Sequence, residues 1–88
     1  MIERQATIVN QEGLHARPAA RIVRLASSFD CDIEISKDGV DVNGKSIMGV
    51  MMLAAEFGSA ITIRADGPEA EQAVEALAQL VASGFGEP

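Results

Sequence analysis

The hydrophobic and polar positions of the chain alternate between two periods. Ile2, Arg4, Ala6 and Ile8 share one face of an extended run from Ile2 to Val9, which predicts a strand. "NQEG" (Asn10 to Gly13) breaks it. In "RPAARIVRLASSF" the period lengthens, and Ala19, Ile22, Val23, Ala26 and Phe29 fall on one helical stripe. "CDIEIS" returns to alternation, with Cys31, Ile33 and Ile35 predicted inward and Asp32, Glu34 and Ser36 outward. "KDG" signals a turn, and "VDVN" is the second arm of a hairpin. "SIMGVMML" predicts a short apolar helix and "AITIRA" a further strand. "GPEAEQAVEALAQLVASG" predicts the clearest helix, with Ala70, Ala73, Val74, Leu77 and Val81 as its buried stripe. Pro68 suits its first turn, Glu69 and Glu71 favour its positive end, and Gly84 suits its stop.

The order is βαββαβα. Four half-apolar strands fit an antiparallel or mixed sheet with one wet face, and the helices must cover the other. We read an α+β, two-layer, open-faced β-sandwich: a four-stranded antiparallel sheet covered on one face by three helices. Eighty-eight residues make one domain, residues 1–88, with no room for a second.

Charge and composition then remove function classes. The net charge is −6, which argues against a broad nucleic-acid surface. There is no Trp or Tyr and only three Phe, so base stacking has little to work with. The single Cys31 cannot form an internal disulfide and reads as a buried, inert thiol. No apolar stretch reaches membrane-spanning or signal length, so a reducing cytoplasm is the expected setting, with no membrane contact.

The one histidine carries the candidate chemistry. His15 sits in "GLHARPAA", just before Ala16, Arg17 and Pro18. Proline is tolerated in a first helical turn, so His15 or Ala16 should lie near an N-cap. The free N–H groups of that turn make a ready anion site beside a nucleophilic ring. Arg17, Arg21 and Arg24 recur at i, i+4 and i+7 on the polar face of the same helix, three of seven basic residues. Such a stripe is commonly just a solvated face, and a lone histidine is commonly structural. The sharper reading is a phosphate clamp at Arg17 and a docking surface for an acidic partner at Arg21 and Arg24.

"GLHARPAA" resembles the active-site signature of the HPr family, the histidine-containing phosphocarriers of the bacterial phosphotransferase system. "GKSIMGVMML" resembles the regulatory-serine region of the same family, and length, element order and motif spacing agree. The resemblance implies that His15 is phosphorylated on Nδ1 by enzyme I, which phosphoenolpyruvate charges. The phosphoryl group then passes to a histidine of an enzyme IIA-type acceptor. Arg17 matches the arginine that contacts the phosphoryl group. Ser46 matches the serine phosphorylated by HPr kinase/phosphorylase. The implied protein is a monomeric carrier rather than an enzyme. Phosphoryl transfer needs positioning and charge neutralisation, which helix N–H groups and a guanidinium supply. With no P-loop and no metal-binding acidic cluster, neither ATP, a metal nor another cofactor is expected on this chain. Glu12, three residues before His15, would repel a phosphoryl group if it pointed inward; the turn should aim it at solvent.

Ser46 is a good N-cap in its own right. The apolar run after it surrounds a short helix almost completely, so part of it should face water. The resemblance implies that Ile47 and Met48, joined by Leu14 and with Met51 alongside, dock partner proteins. Three rivals stand beside the sugar-branch carrier. One is a nitrogen-branch carrier of the same family, of which "ASGFGEP" has some flavour. Another is a regulatory domain that binds a transcription factor and carries no phosphate. The last is a phosphohydrolase or small-molecule-binding domain, for which Glu12 is the only nearby polar group.

Overall fold

The computed structural model describes residues 1–87. Its elements are β1 (Ile2–Thr7), α1 (Ala16–Ser27), β2 (Asp32–Lys37), β3 (Val40–Asn43), α2 (Ile47–Met52), β4 (Ala60–Asp66) and α3 (Ala70–Ala82). A 3₁₀ turn, Gly84–Gly86, follows. The sheet order is β1-β4-β2-β3 and every pairing is antiparallel. β4, made late in the chain, therefore lies between β1 and β2. α3 packs on β1 and β4, α1 on α2 and α3, and α2 on β3.

The core lies between the sheet and these helices. Ile33, Ile35, Ile61 and Ile63 point in from the central strands, Ile22 from α1, Val50 from α2, and Leu77 and Val81 from α3. Each strand contributes alternate side chains, as a half-buried pleat requires. Arg4 lies on the inner side of the edge strand opposite Ile63, yet stays exposed because its guanidinium pairs with Glu75 of α3.

Several boundaries differ from the sequence reading, each for a local reason. β1 ends at Thr7, and Ile8 makes its backbone bonds to Gly58 and Ser59 instead. Cys31 is buried but precedes β2. Ser36 takes its outward alternation but is buried, because Arg64 lies over it and donates from Nη1 to its hydroxyl. The Ser36 hydroxyl in turn donates to Asp41, and Arg64 also pairs with Glu3 and Glu34. Pro68 precedes α3, whose N-cap is Glu69; the Glu69 carboxylate accepts instead from the Asp30 N–H. Gly84 (φ +69°) stops α3 as expected, since a left-handed residue past the last turn favours glycine.

Candidate functional site

His15 is the N-cap of α1, with extended backbone and no side-chain cap bond. Pro18 sits inside the first turn, so one backbone donor is absent there anyway. Gly13 sets up the approach. Its φ is +69°, and a Cβ there would lie 2.5 Å from the Ala55 carbonyl oxygen. Only glycine fits that turn without displacing backbone.

The same turn corrects the expectation for Leu14. Its N–H donates to the Ala55 carbonyl at 2.9 Å, and its side chain is 5% exposed. It belongs to the core and does not join an exposed patch with Ile47 and Met48. The left-handed step at Gly13 turns Leu14 inward and leaves the next residue, His15, at the surface.

The His15 ring is about one-third exposed, and its Nε2 lies 3.0 Å from Glu87 Oε1. A hydrogen bond from the ring and another from Asn10 hold the Glu87 carboxyl below its ordinary range, against a smaller opposing effect of desolvation; the Arg17 charge lowers it further. Glu87 is thus ionised at neutral pH and can only accept. The ring therefore donates from Nε2, and its Nδ1 carries the free lone pair in the neutral state. By linkage, the stability this contact adds is present above the unfolded carboxyl's titration. It is lost as pH falls through the folded value.

Arg17 is exposed in the first turn of α1, and no carboxylate of the described residues lies within ion-pair distance of it. A guanidinium without a partner beside free helix N–H groups can take an incoming anion. Arg21 is also exposed, but its Nη1 donates to the Phe85 carbonyl at 2.7 Å. Arg24 is exposed in the last turn of α1, where a cation also complements the helix dipole. Glu12 is exposed, as expected, though it edges the hollow that His15, Arg17 and Glu87 line. Among the described residues, no group of three His, Cys, Asp or Glu side chains is placed to hold a metal.

Ser46 is the N-cap of α2, accepting from the Gly49 N–H at 3.1 Å. Only Val50 of α2 is buried. Ile47 and Met51 are partly exposed, while Met48 and Met52 reach 71% and 72%. Phe57 is 64% exposed and lines a second hollow shared with Leu14 and His15.

The sequence reading placed Met52 in the apolar run but left it out of the docking set, and it missed Phe57 and Glu87. Met52 was legible, since a helix that buries one stripe must expose most of "IMGVMM". Phe57 sits in a loop and Glu87 lies 72 residues from His15, so no periodicity marks either.

Comparison with known proteins identifies the family. The family model described as "PTS HPr component phosphorylation site" matches residues 2–83. The chain belongs to the HPr family. It is 48% identical to the phosphocarrier protein HPr of Cupriavidus necator, over 99% of this chain and 98% of that one. A crystal structure of HPr from Thermoanaerobacter tengcongensis superposes with a TM-score of 0.95 at 45% identity, covering 100% of this chain and 99% of that one. A crystal structure of an HPr dimer from the same organism gives 0.79 at 46% identity, covering 99% and 100%. The HPr fold is thus the open-faced antiparallel sandwich read from the sequence. Among the described residues, no helix is long and apolar enough to cross a membrane.

Proposed function

We propose that this HPr-family chain is a cytoplasmic phosphocarrier that accepts a phosphoryl group on His15 Nδ1 and passes it on. The donor is enzyme I charged by phosphoenolpyruvate, and the recipient is a histidine of an enzyme IIA-type protein. One observation carries the reading: His15 is about one-third exposed at the N-cap of α1 with Nε2 tied to Glu87, which leaves Nδ1 as the nucleophile. Incubation with phosphoenolpyruvate and enzyme I, followed by location of acid-labile phosphate, tests it.

Arg17 neutralises the phosphoryl charge in this reading. Charge-assisted contacts of that kind contribute about 1.5–3 kcal/mol. Arg17→Ala is expected to slow transfer roughly 10-fold or more. Arg17→Lys restores only part, because it lacks the planar fork. Wild-type rates for both variants identify Arg17 as a solvated surface residue. The carrier acts as a monomer in this reading, although a relative crystallises as a dimer; light scattering at working concentration checks it.

Ser46 is the regulatory position, phosphorylated by HPr kinase/phosphorylase, and Ile47, Met48 and Met51 with Arg21 and Arg24 form the docking surface. A phosphate adds about −1.5 to −2 charges. At the start of α2 that charge leaves the fold intact. It places a hydrated dianion at the edge of the apolar patch. Ser46→Asp is therefore expected to slow His15 phosphorylation at subsaturating enzyme I with little change in Tm. Ser46→Ala transfers normally but loses its bond to Gly49, at a cost of about 0.5–2 kcal/mol. Wild-type transfer by Ser46→Asp leaves Ser46 as a cap alone.

A further inference from the structure

The last described residues are tied down onto His15. Phe85 is buried in the core with left-handed backbone (φ 58°), flanked by Gly84 and Gly86, also at positive φ. The Arg21 guanidinium holds the Phe85 carbonyl from outside. Glu87 then extends, and its Oε1 receives two hydrogen bonds, from His15 Nε2 at 3.0 Å and from Asn10 Nδ2 at 3.2 Å. Asn10 is buried, and the same Nδ2 donates to the Gly13 carbonyl at 2.8 Å. One buried amide therefore joins the turn that presents His15 to the carboxylate that touches its ring. The Glu87 side chain is only 18% exposed, which sets it apart from a carboxylate left in solvent.

We propose that Glu87 is a positioning residue for His15, fixing the ring tautomer and balancing the charge the ring gains on phosphorylation. The inference rests on the carrier reading above. A carboxylate only accepts, so it keeps the ring proton on Nε2 and the lone pair on Nδ1. In the transfer that lone pair attacks phosphorus. The Nδ1–P bond forms as the bond from phosphorus to the donor atom breaks, and its electron pair stays with the donor. Nε2 keeps its proton, so the ring becomes positive, and the Glu87 carboxylate already lies against that nitrogen. Onward transfer reverses the step, returning the electron pair to Nδ1. The carboxylate partner of a catalytic imidazole in other proteins holds tautomer and charge in the same manner.

The full-length ¹⁵N-labelled protein tests this without any phosphoryl donor. Ring ¹⁵N shifts of the neutral imidazole are expected to show a protonated Nε2 and a bare Nδ1. In Glu87→Ala those shifts move towards a tautomer mixture. Transfer from phosphoenolpyruvate-charged enzyme I slows by roughly 10-fold, the low end of what losing an orienting partner does to a functional histidine. Glu87→Gln still accepts from Nε2 but lacks the charge, so it keeps the tautomer and transfers at an intermediate rate. Wild-type shifts or a wild-type transfer rate in Glu87→Ala overturn the proposal. A wild-type protein that takes no phosphate defeats the carrier reading itself. A labelled wild type with an indifferent Glu87→Ala defeats only the positioning role.

Discussion

His15→Ala is expected to take no acid-labile phosphate from phosphoenolpyruvate and enzyme I, and to unfold within a few degrees of the wild type. The first half follows from composition: the chain has no second imidazole to stand in. The second half follows from geometry. The ring is about one-third exposed, makes one side-chain hydrogen bond and does not cap α1. The bond from the Ala19 N–H to the His15 carbonyl is backbone and survives the substitution. Alanine therefore removes the imidazole and little else. Undiminished labelling of this variant, measured beside its thermal unfolding curve, sinks the assignment of the carrier site to His15.

The largest loss of stability is expected at Phe85. It is among the largest fully buried side chains. Removing a buried Phe typically costs about 3–5 kcal/mol. Folded domains hold only about 5–15 kcal/mol in all, so this is a large share. For a domain of this size each kcal/mol lowers Tm by roughly 4–8 °C. Phe85→Ala should thus unfold more than ten degrees early, whereas Met48→Ala, on an exposed helix face, should stay near the wild type. Differential scanning calorimetry on the pair separates them. A Phe85→Ala curve that overlays Met48→Ala means the C-terminal turn is not anchored in the core.

Most of the fold is legible in the chain because its elements follow their own periods. The stripe of α3 reads directly, and Ala70, Ala73, Val74, Leu77 and Val81 are all buried. Ser46 reads as a cap because capping is a local bond between a side chain and the next turn. What escaped depends on contacts between distant parts of the chain. Leu14 has the composition of a docking residue, and only the left-handed step at Gly13 sends it inward. Ser36 alternates outward, and only the reach of Arg64 across from β4 buries it. His15 and Arg17 are local to one motif, whereas Glu87 arrives from the other end of the sequence. Local physics marked the histidine and left its carboxylate partner unseen.

The placing of β4 between β1 and β2 bears on the order of folding events. The β2–β3 hairpin closes through a two-residue turn, Asp38-Gly39, and can form early. β1 cannot. Among the described residues its only partner in the sheet is β4, and Thr7 waits for Ala60 across more than half of the chain. Closing so long a loop is entropically expensive and slows pairing. Until it closes, β1 is an unpaired edge, able to add to the β4 of a second molecule by the same hydrogen bonds. Intramolecular pairing competes with that exchange on concentration alone, so dilute refolding favours the closed single chain.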